Sequence, residues 1–152
     1  MKSKYITLPL IILSIIFCKL YIIDIARVDG YSMYPSLKNN QLVLFSKINK
    51  NYSRFDIVIL KVDNKYYIKR VIGLPNERIL YKEDKLYVNG KEIIEEFETS
   101  NVEDFELKEI CPYDIIPKDK VLVLGDNRQD SYDSRNYGLV DFKDIKGKII
   151  LK

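Results

Sequence analysis

The sequence predicts a mostly β domain that follows a single N-terminal transmembrane helix. Two observations lead to this prediction. Residues Tyr5–Ile23 form a 19-residue apolar run with one charge, Lys19. Much of the remaining chain alternates Ile, Val and Tyr with polar residues, which is typical of strands with one buried face. At about 1.5 Å per residue, the apolar run would make a helix about 29 Å long, close to the hydrocarbon thickness of a bilayer.

Positive charges at the start of the chain predict its orientation in the membrane. Lys2, Lys4 and the α-amine precede the apolar run, so the N-terminus is expected in the cytoplasm and the chain beyond Asp24 outside it. Residues 1–25 are thus predicted to form a cytoplasmic tip and a membrane anchor. A cleavable signal peptide and a buried core helix are the alternatives. The run is longer than a usual signal-peptide core, lacks a following A-x-A site, and has no polar face.

The strands beyond the anchor are predicted from alternating apolar residues. Four segments show the pattern directly: Gln41–Phe45, Phe55–Lys61, Tyr66–Gly73 and Lys120–Leu124. In Lys85–Ile94, the central Asn89-Gly90 pair predicts a hairpin with a type I′ turn. Ile145–Leu151 is predicted to be the last strand.

The domain is predicted to carry an inserted lobe. Pro75 and Pro117 bracket residues 76–116, and the β core would consist of residues 28–75 and 117–152. The lobe contains an acidic stretch, Glu92–Glu109, whose simplest interpretation is a solvated face.

Composition excludes several kinds of site. The net charge is only +3 and no basic block is present, so nucleic acid is not an expected partner. The chain has no histidine, which rules out Ser-His-Asp and Cys-His hydrolases and His-based zinc sites. Two cysteines cannot supply a four-Cys metal site. Any hydrolytic chemistry has to come from Ser, Lys, Asp, Glu, Tyr or Cys, and we expect no metal or cofactor.

A serine and a lysine are the first candidates for chemistry. Ser32 lies between Gly30 and Pro35 in irregular backbone just beyond the anchor, where its hydroxyl could be exposed near the outer membrane surface; an ordinary turn serine is the alternative. Lys69 lies within a predicted strand, on the face that also carries Tyr67. Burial would lower its pKa and make the amine a general base, whereas an edge-strand lysine would reach solvent.

A polar loop is the third candidate segment. Residues 125–138 run from Gly125 to Gly138 after an apolar strand and are rich in Asp, Asn, Ser and Arg. Such a loop is either a network that braces a site or a solvated turn. The number of possible arginine–carboxylate pairs favours the brace.

Together these segments resemble the type I signal peptidases. The family's nucleophile motif G-x-S-M-x-P-[TS]-L is matched by GYSMYPSL at residues 30–37. Its lysine motif K-R-V-[IV]-G-x-P is matched by residues 69–75, and its late motif G-D-N-x-x-x-S-x-D-S-R-x-[FYW]-G by residues 125–138. The three motifs occur in the family's order behind an apolar N-terminal segment, and the resemblance covers nearly all of the chain except residues 76–116.

The resemblance implies roles for particular residues. Ser32 would be the nucleophile, Lys69 the general base, and Ser131 the residue that orients the lysine amine. Four further residues would brace the site: Arg70, Asp126, Asp133 and Arg135. Some members carry a serine two positions before the nucleophile that helps to form the oxyanion hole. Here that position is Gly30, so the hole would rest on the Ser32 N–H and a second main-chain donor.

The resemblance also implies a fold and a function. The fold would be an antiparallel β-sheet or partly open barrel with a small inserted β lobe. The enzyme would remove signal peptides from secreted preproteins that have small residues before the cleavage site, through an acyl-enzyme intermediate, as a membrane-bound monomer. Two alternatives remain: a related Ser–Lys peptidase that matures a dedicated substrate such as a conjugative pilin, and a non-catalytic domain that binds signal sequences.

Overall fold

The computed structural model describes residues 4–48 and 50–152. Helix α1 spans Lys4–Phe17 and continues as a π-helix over Cys18–Ile22. Within the described ranges, no helix combines the length and apolar character needed to cross a membrane. Met1–Ser3, which include Lys2 of the predicted cytoplasmic tip, lie outside the described residues, as does Asn49.

The helical segment ends one residue before the end of the predicted apolar span. Strand β1 begins at Ile23 and runs to Arg27, pairing antiparallel with β2, Leu42–Ser46. Residues 23–25, which the sequence assigned to the anchor, therefore belong to the sheet. The alternating isoleucines Ile23 and Ile25 suit a strand as well as a helix, and pairing with the β2 backbone favours the strand.

The main sheet contains seven strands among the described residues, in the order β1-β2-β11-β3-β4-β9-β10. Its remaining members are β3 (Ile57–Val62), β4 (Lys65–Gly73), β9 (Lys120–Leu124), β10 (Val140–Asp141) and β11 (Ile145–Leu151). Each neighbouring pair is antiparallel, which confirms the predicted antiparallel β fold. Strand β4 lies between β3 and β9, so both of its backbone edges have a neighbouring strand.

A second sheet is built from residues between Ile79 and Glu106. Its strands are β5 (Ile79–Lys82), β6 (Lys85–Val88), β7 (Lys91–Ile93) and β8 (Phe105–Glu106), in the order β7-β6-β5-β8. Asn89 and Gly90 join β6 to β7 and both have positive φ, 51° and 81°, which confirms the hairpin predicted from that pair. This sheet lies within residues 76–116, although the division into core and lobe itself stays a prediction.

One apolar cluster joins the two sheets. Ile72, Leu122 and Leu124 of the main sheet pack with Tyr81 and Phe105 of the second sheet, and each of these five side chains is buried. Because the two sheets share this core, the position of the smaller sheet is coupled to the ends of β4 and β9. Three short helices complete the described structure: α2 (Leu107–Ile110), α3 (Ser134–Tyr137) and a 3-10 turn at Phe142–Asp144.

Candidate active site

Ser32 lies in a series of turns between β1 and β2. Met33 and Leu37, at 1% and 0% exposure, anchor the segment in the core, and the Leu37 N–H donates to the Met33 carbonyl at 2.8 Å. Gly30 has φ +89°, a left-handed conformation that favours glycine. The side chain of Ser32 remains partly exposed between these fixed points.

Lys69 occupies the middle of β4, opposite Val58 of β3. It is only 2% exposed. Its Nζ donates a hydrogen bond to Ser32 Oγ at 2.7 Å, and the ring centroid of Tyr67 lies 5.9 Å from the same nitrogen. The structure therefore brings together the serine and the lysine that the sequence singled out, although they are 37 residues apart in the chain.

The environment of Lys69 favours the uncharged amine. Burial lowers the pKa of Lys69 to about 8, and the positive charge of Arg135 acts in the same direction. The carboxylates of Asp133, Asp126 and Asp130 oppose this change. With a pKa of about 8, about half of the amine is neutral at pH 8 and roughly a tenth at pH 7. An ordinary exposed lysine offers a far smaller neutral fraction.

Arg70 ties three segments of the site together. Its guanidinium forms a bidentate ion pair with Asp126, with Nε to Oδ1 at 2.8 Å and Nη2 to Oδ2 at 2.5 Å. It also donates to Ser36 Oγ at 3.0 Å and to the Phe55 carbonyl at 2.9 Å. Both members of the ion pair are buried, so the paired geometry satisfies charges that would be costly alone.

Asp133 organises the far side of the loop. It is fully buried, accepts a hydrogen bond from the Gly125 N–H at 3.0 Å, and caps helix α3. Arg135 binds the same carboxylate through Nε at 2.9 Å and Nη2 at 2.8 Å. The same Nη2 also donates to the Arg128 carbonyl at 2.6 Å. The loop is thus held as a network, in the manner expected of a brace.

Ser131 does not form the hydrogen bond to Lys69 that the resemblance implies. Its Oγ is buried and has no hydrogen-bond partner among the described residues. It lies against Gly125, where an added Cβ would come within 2.2 Å of Ser131 Oγ and 2.4 Å of the Ser32 carbonyl oxygen. The role of Ser131 stays a prediction, and the close packing explains why residue 125 is glycine.

The loop contacts the Ser32 segment directly. The Asn127 N–H donates to the Ser32 carbonyl at 3.1 Å, and Asn127 Nδ2 donates to the Tyr31 carbonyl at 3.3 Å. The sequence offered Gly125 as a loop boundary and Asn127 as one polar residue among several, but gave neither a role. The Gly30 N–H donates to Asn39 Oδ1 at 3.0 Å, so this main-chain donor of the predicted oxyanion region is already engaged.

An open groove runs beside the Ser32–Lys69 pair. It is bordered by β1, and its lining combines several charged residues with the apolar side chains of Ile25, Val28, Met33, Phe45, Ile59 and Ile68. Strand β1 is at one end of the sheet order, so one of its edges has no neighbouring strand among the described residues. A serine hydroxyl, a buried amine with a lowered pKa and a strand edge at one groove suit attack on the carbonyl of an extended peptide.

Comparison with known proteins places the chain in a family. The family model for signal peptidase, peptidase S26, matches residues 2–152. The chain belongs to this family. Signal peptidase I V of Bacillus subtilis (strain 168) is 44% identical over 136 residues, covering 81% of each chain. Signal peptidase IB of Staphylococcus aureus (strain Mu50) is 36% identical over 146 residues, covering 85% of this chain and 76% of the relative.

A solved structure of the same family shares the fold. The crystal structure of a signal peptidase I from Enterococcus faecalis V583 is 32% identical, with a TM-score of 0.61. The match covers 66% of this chain and 97% of that chain. These comparisons confirm the resemblance found in the three motifs. The chain is therefore a peptidase, and so a hydrolase.

We expect Gly125→Ala to destabilise the protein and distort the site. The added methyl would contact Ser131 Oγ and the Ser32 carbonyl at distances that real Cβ atoms do not adopt, and overpacking of this kind costs roughly 2 kcal/mol. Thermal unfolding of the detergent-solubilised variant measures the effect. Gly90→Ala is the control, because nothing lies within 4 Å of its added Cβ and only the positive φ opposes it. A Gly125→Ala protein more stable than Gly90→Ala would contradict the expected clash.

We expect Lys69→Met to be more stable than the wild type at neutral pH. A folded-state pKa of about 8 instead of 10.5 means that the buried ammonium opposes folding by on the order of 3 kcal/mol at pH 7. This destabilisation has its full value below pH 8 and disappears as the pH rises toward 10.5. Between these two pH values the unfolded chain binds more protons at Lys69 than the folded chain does, so stability increases with pH. Loss of the hydrogen bond to Ser32 offsets about 1 kcal/mol of the stability that the substitution gains.

Thermal unfolding of Lys69→Met and wild type across this pH window measures the difference. The advantage of the methionine variant should shrink as the solution becomes alkaline. A difference that is independent of pH would show that Lys69 does not hold a lowered pKa. Lys65→Met is the control, since Lys65 is an exposed lysine on the same strand.

Proposed function

We propose that the protein is a membrane-anchored serine endopeptidase that removes N-terminal signal peptides from exported preproteins. The observation that carries the proposal is the 2.7 Å contact between Lys69 Nζ and Ser32 Oγ, made by a lysine that is almost fully buried. Membership of the signal peptidase family supports the kind of substrate, since relatives across most of the chain are named signal peptidase I.

The proposed reaction uses Ser32 as nucleophile and Lys69 as general base. The neutral amine accepts the Ser32 proton while Oγ attacks the scissile carbonyl, and the resulting ammonium donates that proton to the departing amine of the mature protein. The signal peptide is left as an ester on Ser32. Water then attacks the ester, with Lys69 accepting its proton and returning it to Ser32 Oγ. Main-chain N–H groups near Ser32 would stabilise the oxyanion.

The groove suggests how a preprotein would bind. An extended segment could pair with the free edge of β1 and place its side chains against the apolar lining around Ile25, Val28 and Ile68. Small side chains before the cleavage site would let the substrate backbone approach Ser32. This binding mode requires no metal or cofactor, and we propose that the protein acts as a monomer.

Helix α1 supports membrane attachment. Four consecutive residues, Leu10–Leu13, are 49–63% exposed, so apolar side chains point in every direction around the helix and the rest of the protein does not cover them. A helix that is apolar on all sides is suited to lipid. We propose a single-pass anchor formed by the N-terminal apolar segment, with the N-terminus in the cytoplasm and the catalytic domain outside.

Cleavage of a model preprotein by the detergent-solubilised chain tests the function. We expect cleavage on the C-terminal side of a small residue, and a loss of at least about 10³-fold in kcat for Ser32→Ala and for Lys69→Ala, because each removes one member of a coupled pair. Ser53→Ala and Lys65→Ala, which alter exposed residues, should retain activity. Cleavage that survives both Ser32→Ala and Lys69→Ala would refute the assignment of nucleophile and base.

The pH dependence of kcat/KM tests the neutral lysine separately. Burial lowers the pKa of Lys69 to about 8, so activity should fall tenfold per pH unit below that value and level off above it. A steady-state profile measured from acid to alkaline pH gives the midpoint. A flat profile from pH 8 down to pH 4 would be incompatible with a titrating amine as general base.

A further inference from the structure

Residues Glu95–Ser100, which we call the strap, connect the second sheet to the loop of residues 125–138, which contacts the Ser32 segment. The strap follows β7 and is separate from the three sequence motifs. The acidic run that contains it was predicted to be a solvated face. Glu92 fits that prediction, because its side chain is 47% exposed and pairs with exposed Lys85. Glu95 does not fit, because its side chain is only 11% exposed.

Glu95 neutralises a fully buried arginine of the loop. Arg128 has a side-chain exposure of 0% and donates to Glu95 Oε1 at 2.5 Å. The same guanidinium donates to the Tyr81 hydroxyl and to the Gly125 carbonyl, each at 2.9 Å. The Tyr81 hydroxyl in turn donates to Glu95 Oε1 at 2.9 Å. Without Glu95, Arg128 would be a buried charge that lacks its counter-ion.

Phe97 covers the other arginine. The guanidinium carbon of Arg70 lies 3.8 Å from the centroid of the Phe97 ring, which also meets Phe55 edge-on at 5.2 Å. The ring shields the Arg70–Asp126 ion pair from solvent on this side. A cation–π contact of a desolvated arginine adds to the stability of that geometry.

Ser100 binds the loop backbone. Its N–H donates to the Asp126 carbonyl at 3.2 Å, and its hydroxyl accepts from the Gln129 N–H at 3.3 Å. The hydroxyl also donates to Asn127 Oδ1 at 3.4 Å. Strap and loop are therefore joined at two points, the Glu95–Arg128 ion pair and the hydrogen bonds of Ser100, while Phe97 contacts Arg70 of the neighbouring strand β4.

We propose that the strap is a positioning element of the peptidase, in which Glu95 acts through Arg128 to hold residues 125–131 against the Ser32–Lys69 pair. The chain of contacts is continuous. Glu95 fixes Arg128, Arg128 fixes the Gly125 carbonyl, and the adjoining Asn127 N–H holds the Ser32 carbonyl. The inference rests on the proposed function and gives the second sheet a role in it.

Glu95→Gln tests the proposal, because it removes the charge and preserves the shape. We expect kcat for preprotein cleavage to fall by about 10-fold to 100-fold with a smaller change in KM, since misplacement of supporting groups affects chemistry more than binding. The midpoint of the pH profile should move to higher pH. A loosened loop would admit water to Lys69, which is faced by Asp126, Asp130, Asp133, Arg135 and the Tyr67 ring.

Glu92→Gln is the matched control. It makes the same chemical change on the same lobe, at an exposed ion pair, and should leave kcat and the midpoint unchanged. Hydrogen exchange provides a readout that does not depend on activity: amides of residues 125–131 should exchange faster in Glu95→Gln than in wild type or Glu92→Gln.

Tyr81→Phe serves as a second variant, because it deletes one hydroxyl of the cluster and retains the ring that stacks on Phe105 at 5.1 Å. If Glu95→Gln does not fold, a several-fold fall in kcat and an alkaline midpoint shift in Tyr81→Phe would support the proposal. The proposal is overturned if the folded variants keep the wild-type kcat, the wild-type midpoint of the pH profile and the wild-type hydrogen exchange of residues 125–131.

Two other outcomes are also decisive. A loss of activity that follows only the unfolded fraction, with an unchanged midpoint, would assign Glu95 a purely structural role and refute the proposal. The proposed function fails separately, if the wild type does not cleave the preprotein or if Ser32→Ala still cleaves it. In that case hydrogen exchange still reports whether Glu95 holds the loop in place.

Discussion

The candidate site depends on keeping one lysine amine shielded from solvent and in contact with a serine hydroxyl. Lys69 is 2% exposed and has no ion-pair partner among the residues that the structure describes, so its charged form is unfavourable and the fold has to hold it in place with contacts made elsewhere. The central position of β4 provides these contacts, because β3 and β9 flank the strand and their backbones hydrogen-bond to it. The result is an amine whose lowered pKa is a consequence of burial and whose position is a consequence of sheet topology.

Strand order also explains why distant motifs meet. Arg70 of β4 is paired with Leu124 at the end of β9, so the loop that begins at Gly125 starts beside Lys69. The turn between β1 and β2 reaches the same place because the Asn127 N–H holds the Ser32 carbonyl. The proposed nucleophile, the proposed base and the loop thus converge where β4 and β9 adjoin, and the second sheet is packed on the same two strands through Ile72 and Leu122.

Much of this could be predicted from the sequence, and the failures have physical causes. Central strands such as β3 and β4 carry runs rich in apolar and β-branched residues, and the Asn89-Gly90 turn has few alternative conformations. The strands that were missed, β1, β5, β8 and β10, have two to five residues, and their partners, distant in sequence in most cases, determine whether they form. Ser32 and Lys69 were singled out because their motifs are specific, and the structure places their side chains in contact. Glu95 was missed because a carboxylate in an acidic run carries no local sign of a buried partner.

Burial lowers the pKa of Lys69, and arginines paired with the nearby carboxylates keep those carboxylates from reversing the effect. Asp126 and Asp133 both raise the pKa of Lys69, yet each is hydrogen-bonded to an arginine, Arg70 and Arg135 respectively. A carboxylate that already binds a guanidinium exerts less net attraction on a third group, because the arginine cancels much of its field. The loop can therefore concentrate acidic residues near the base without making it a permanent cation. Burial then decides the balance, and the same arginine pairs that rigidify the loop leave the amine free to accept a proton.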